Sequence, residues 1–118
     1  MKIILSRKGF DSEFGKQPNP ILPDGTLLSL PIPDENGNNA FSSLLCKEMR
    51  MNYYEIINSL KPRTKIKEDD TCHLDPDLRK DVRDRLPGWK PAFGQADTAL
   101  QHLQNKKVGV GDLYLFFG

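Results

Sequence analysis

The run His73-Leu74-Asp75-Pro76-Asp77 sets an imidazole and two carboxylates at alternate positions. On an extended strand, alternate positions project from one face. An imidazole beside paired carboxylates suits a divalent-cation site or general acid–base work, because two carboxylates can hold a hard cation or split their pKa values. His73, Asp75 and Asp77 are therefore the candidate catalytic residues, and a divalent metal the candidate cofactor. The competing expectation is structural: Asp75 caps a helix that begins with Pro76, and Asp77 favours its dipole. Spacing alone favours the cap.

A second constellation, Ser6-Arg7-Lys8-Gly9-Phe10-Asp11, follows the first apolar stretch. Loops leaving strand ends commonly build binding sites, and Arg7 with Lys8 can hold a phosphate while Gly9 lets the backbone come close. A solvated strand end with a turn glycine explains the same residues equally well. Phe93-Gly94-Gln95 precedes the clearest helical pattern, where free backbone N–H groups attract anions and the Gln95 amide can read a base edge, although most such junctions are only turns. Ser6, Arg7, Lys8, Asp11 and Gln95 are the candidate ligand-binding residues. The basic run Lys61, Arg63, Lys65, Lys67, Arg79, Lys80, Arg83 and Arg85 is interleaved with Glu68, Asp69, Asp70, Asp81 and Asp84, which favours a solvated face over a phosphate-binding one. Trp89, between Pro87-Gly88 and Pro91, can stack on a base but suits a core or rim position better. No Walker loop, dinucleotide fingerprint, nucleophile elbow or zincin helix is present.

The elements that must position these groups are short. Lys2 to Ser6 reads as a strand. Residues 10 to 26 carry three prolines and two glycines and suit no regular element. Asp24-Gly25 predicts a hairpin with Ile21-Leu22 as one arm and Thr26 to Leu30 as the other, and Pro31 and Pro33 make the exit an edge. Residues 34 to 39 form a polar loop. Asn52 with Glu55 predicts a capped helix whose apolar stripe is Tyr53, Ile56, Ile57 and Leu60, ended by Lys61-Pro62. A charged, solvated connection over 61 to 71 leads to a short strand at Cys72 to Leu74. The spacing predicts a second helix from Gln95 to Asn105, with Ala96, Ala99, Leu100 and Leu103 on one side. Asp112 to Phe117 is apolar on both faces, as in a strand covered on both sides. The pattern predicts an α+β fold, a small mixed β-sheet packed with two or three helices.

Composition bounds the rest. At 118 residues the chain is one domain's worth, with 37% hydrophobic and 28% charged residues. Seventeen Lys and Arg against sixteen Asp and Glu leave a net charge of +1, so contact with nucleic acid needs a local patch. The N-terminus becomes charged too soon for a secretory signal, and no apolar run can span a membrane, so a cytoplasmic protein is expected. With no secretory signal, Cys46 and Cys72 are expected as reduced thiols, and with His73 and His102 they match no usual zinc spacing.

Three stretches in series, KIILSRKGFD at 2–11 with PILPDGTLLSLPIP at 20–33, HLDPDL at 73–78, and FGQADTALQHLQNKKVGVGDLYLFFG at 93–118, resemble the third family of nucleotide-modification-associated domains. These bacterial and phage proteins are linked by genomic context to DNA base modification and defence against foreign DNA. The resemblance covers nearly the whole chain. It implies an α+β domain and a site that includes Ser6, Arg7, Lys8, Asp11, His73, Asp75 and Asp77, without assigning them roles. Members of that family continue past the block that ends here at Gly118, so the expectation is a single domain over residues 1–118 that lacks a C-terminal continuation. Two functions are expected in turn: a module directed at a nucleotide or DNA, and a non-catalytic protein that sequesters a nucleotide or pairs with a second copy or partner chain through its last strand.

Overall fold

The first strand, β1 (Ile3–Arg7), pairs in parallel with the last, β7 (Leu113–Phe117), so the two ends of the chain close on each other. The protein is described by a computed structural model covering residues 1–60, 63 and 65–118. Lys2 N–H donates to Asp112 Oδ1 at 2.7 Å, and Lys8 N–H donates to the Phe117 carbonyl at 2.8 Å, fixing the register at both ends. The inner face of this ribbon carries Tyr114 and Phe116, which meet Phe93 at ring-centroid distances of 5.2 and 5.0 Å. Its outer face, Ile3, Leu5, Leu113, Leu115 and Phe117, is exposed. The expectation of a strand covered on both sides therefore holds on one side only.

Between these ends lie β2 (Ile32–Pro33), β3 (Asn39–Ala40), β4 (Leu45–Cys46), β5 (Met51–Asn52) and β6 (Thr71–His73). Strand β6 runs antiparallel between β2 and β3, and β4 pairs with β5 in a hairpin. Parallel and antiparallel pairings both occur, spread over three small sheets. With helices α1 (Tyr53–Ser59) and α2 (Asp97–Asn105), the fold is α+β.

The hairpin expected at Asp24-Gly25 shrinks to one bridge, Ile21 to Leu27. The segment from Thr26 to Leu30 is not a strand, because prolines 18, 20, 23 and 31 remove the donors a ladder needs. Its N–H groups go elsewhere: Leu28 donates to the Pro20 carbonyl at 3.0 Å, and Leu30 to Asn19 Oδ1 at 2.7 Å. Asn19 also accepts from Phe10 N–H at 3.2 Å and donates to the Phe10 carbonyl at 3.2 Å, stitching the exit of β1 to this segment.

Helix α1 starts as its residues dictate. Asn52 accepts from Glu55 N–H and Glu55 accepts from Asn52 N–H, each at 2.8 Å, a reciprocal capping box. Tyr53, Ile56 and Ile57 are buried, each burial stabilising by about 1.5–3 kcal/mol, while Leu60 stays largely exposed. The predicted stop at Lys61-Pro62 lies outside the described residues. Phe10, Leu28, Leu30, Phe41, Leu44 and Cys72 complete the centre of the core, and Ile66 anchors the charged connection to it.

Helix α2 begins two residues later than its pattern suggests, because Ala96 is extended and offers no side-chain cap. None of its residues is buried, and Leu100 is exposed despite the apolar stripe. The radius of gyration, 15.0 Å, exceeds the about 13.5 Å expected for a compact chain of this length. No helix among the described residues is long and apolar enough to cross a membrane.

Candidate functional site

Strand β6 ends at His73, and the chain turns through a cis Asp75–Pro76 peptide before Asp77 pairs with Ala92 through two backbone hydrogen bonds of 3.0 and 2.9 Å. The three acid–base candidates therefore do not share a strand face. His73 is exposed, while Asp75 and Asp77 turn towards a cleft. No helix starts at Pro76 either, so the capping role expected for Asp75 is absent. Among the described residues, no three His, Cys, Asp or Glu side chains gather as a metal-binding group.

The cleft has a volume of about 250 Å³ and is lined by residues from every part of the chain that borders β1 and β6. Leu27, Pro31, Leu74, Leu78, Val82 and Phe116 supply its apolar wall, and Lys8, Asn19, Ser29, Tyr53, Asp75, Asp77 and Arg79 its polar groups. Lys8 enters because it follows β1 directly, on the side opposite to Arg7. Its Nζ lies 2.6 Å from Asp75 Oδ2 and 4.9 Å from the Phe93 ring centroid. Both partners of this pair are largely covered, at 13% and 17% exposure, so their attraction is poorly screened.

Asp77 is gripped by Arg85, whose Nη1 donates to Oδ2 at 2.6 Å and whose Nη2 donates to Oδ1. Arg85 Nη2 also donates to the Arg79 carbonyl at 2.7 Å, and its guanidinium stacks 4.1 Å from the Trp89 ring. Arg79 donates to both oxygens of Glu48 at 2.6 and 2.9 Å and reaches Asp81 at 3.4 Å. These bonds from Arg79, with help from the Glu48 backbone N–H and the Cys46 thiol, pull the Glu48 carboxyl down to about 2. Burial pushes the Tyr53 phenol above its ordinary range, so at neutral pH it faces the cleft protonated. The site thus offers a largely covered ammonium–carboxylate pair, a second carboxylate, a guanidinium and an aromatic wall in one concave space.

The other ligand-binding candidates divide. Ser6 is buried inside the ribbon, beside Phe116 in register. Arg7 and Asp11 line a different hollow, and Arg7 Nε lies 3.8 Å from Asp11 Oδ2. Arg7 and Lys8 therefore line different hollows, because adjacent residues at a strand end project in opposite directions. Gln95 lies ahead of α2 and lines neither hollow. Within the basic run, Arg79 and Arg85 bind carboxylates, and Arg83 donates to the Asn39 side-chain amide. Both cysteines are free and buried, and burial pushes the Cys72 thiol up to about 12. Sequence reasoning missed Asn19, Tyr53 and Arg79 as cleft residues. For Asn19 the signal was a lone polar residue held between Pro18 and Pro20.

Among known proteins, the model of the family described as nucleotide modification associated domain 3 matches residues 2–118. No curated protein and no solved structure matches the chain.

Proposed function

The chain belongs to the nucleotide modification associated domain 3 family, and from that premise we propose that it binds a nucleotide, free or within DNA, in the cleft between β1 and β6. One observation carries the proposal. Lys8, the 27–31 segment, Leu74 to Arg79 and Phe116 to Gly118, distant in sequence, line one cleft. Asp75 and Asp77 can accept from the amino groups of a base edge, as carboxylates do from cytosine N4. Lys8, at the end of the first strand, carries the phosphate contact, exchanging Asp75 for a phosphate oxygen. Phe116 offers the face on which a base can stack. Cytoplasmic DNA modification or conflict between phage and host is the setting this reading fits.

Calorimetric titration with nucleoside monophosphates and short DNA, with and without a divalent cation, tests it. Lys8→Met and Asp75→Asn are expected to weaken binding about tenfold, in line with the loss of one charge-assisted hydrogen bond. His73→Ala is expected to change nothing unless a cation recruits the imidazole. Native protein that binds none of these ligands sinks the proposal.

A second reading, a non-catalytic protein that pairs with a second copy along β7, is favoured by the exposed apolar face of Ile3, Leu5, Leu113, Leu115 and Phe117. Under it, light scattering gives a dimer that Leu115→Lys dissociates. A strict monomer at all concentrations rejects it.

A further inference from the structure

The second hollow, about 560 Å³, takes Arg7 into its lining where the cleft takes Lys8, and Gly118 lines both. Arg7, Lys16 and Arg63 bring three cations to it, and among the side chains of its described lining residues Asp11 supplies the carboxylate. That carboxylate is already engaged. Asp11 Oδ1 accepts from Glu13 N–H at 2.7 Å and from Phe14 N–H at 2.6 Å, and these bonds, that of Phe14 first, hold its carboxyl below the ordinary range. The 3.8 Å to Arg7 is too long for a hydrogen bond, so among the described residues the guanidinium donors are not taken up, and its side chain is 54% exposed. Gln17 lines the same hollow, and its Nε2 is buried with no partner among the described residues. Gly15, at φ 77°, lets the loop close on the Phe10 ring, where any Cβ would collide, and so presents Lys16 and Gln17 beside Arg7.

We infer that this hollow is a phosphate-binding site for a second phosphate of the ligand seated in the cleft. The inference rests on the nucleotide reading above. A guanidinium fork, two further cations and an amide donor match the oxygens of a phosphate group, and the net positive charge favours a dianion or diester over any neutral group. Two sources carry such a phosphate: the next diester of a nucleic-acid strand and the tail of a nucleoside polyphosphate. The first requires a single strand or a flipped base, because a stacked base cannot enter the cleft.

Binding measured over a salt series separates these sources, with four probes: a nucleoside monophosphate, the matching triphosphate, a single strand of about eight nucleotides, and inorganic pyrophosphate. The native protein is expected to prefer the strand or the triphosphate over the monophosphate by about tenfold or more. The probe with the preference names the source. In Arg7→Gln/Lys16→Gln the ratio of extended probe to monophosphate falls towards one. For the strand, the slope of log affinity against log salt flattens by about 0.7, one phosphate contact's worth. Arg7→Lys/Lys16→Arg, which keeps the charges, restores most of the preference. An unchanged ratio and slope in the charge-removed variant, with the monophosphate still bound, overturn the second site and leave the nucleotide reading standing. Pyrophosphate that binds natively and is lost in Arg7→Gln/Lys16→Gln, with no nucleotide bound, supports the phosphate site and overturns the nucleotide reading. Silence from all four probes removes both.

Discussion

At the scale of single residues, the site is held by side chains that serve the backbone. Asn19 meets two N–H groups and two carbonyls of neighbouring segments, and a shorter side chain leaves Phe10 and Leu30 N–H without partners. Asn19→Ala is expected to lower stability by about 2 kcal/mol, measured by denaturant unfolding, because buried unpaired donors cost about 1–3 kcal/mol each. Glu48 gives a pH signature. Its carboxyl, ordinarily near 4.5, sits near 2 in the folded protein. The folded form is the better acid, so the stability from its pairing is full above about pH 4.5 and is lost as pH falls towards 2. With a side chain 37% exposed, the effect is modest. The stability difference between native protein and Glu48→Gln is expected to narrow between pH 5 and pH 2 in thermal unfolding. A constant difference rejects the assignment. Residue chemistry was half legible in the sequence: Lys8, Asp75 and Asp77 reach the cleft, whereas His73 does not, because alternation along a strand was extended through a chain that leaves the strand at residue 73.

At the scale of elements, local signals worked where they were self-contained. The Asn52–Glu55 box and the Tyr53, Ile56, Ile57 stripe specify α1 from within eight residues, and the structure follows them. They failed where a distant partner decides. The proline-rich segment 18–33 gives its hydrogen bonds to Asn19 and Pro20 in place of a hairpin ladder, which no short-range pattern encodes. The stripe on α2 has the right period yet buries nothing, since periodicity states which side can be covered and not whether a cover exists. The two helices should respond differently to truncation. Ile57→Ala is expected to cost about 2–5 kcal/mol and Leu100→Ala under about 1 kcal/mol in equilibrium unfolding, because only the first leaves a cavity. Equal costs would mean that α2 is packed in solution.

At the scale of the whole molecule, the α+β class and the family were legible, since both rest on the order of elements and on blocks spread across the chain. The division into three small sheets was not. Pairing β1 with β7 brings residues more than a hundred positions apart into register, and the length between them carries no trace of that choice. The near-neutral charge proved compatible with two oppositely composed depressions, one a balanced set of pairs and one predominantly cationic.

The stack of Arg85 on Trp89 has an optical consequence. The chain has a single tryptophan, and the guanidinium against its ring is the one that grips Asp77 at the cleft wall. Whatever draws Asp77 towards a ligand loosens that grip and alters the surroundings of the indole. Under the nucleotide reading proposed above, the unlabelled protein carries its own fluorophore one ion pair away from the cleft, and its ultraviolet emission is expected to change as ligand is added.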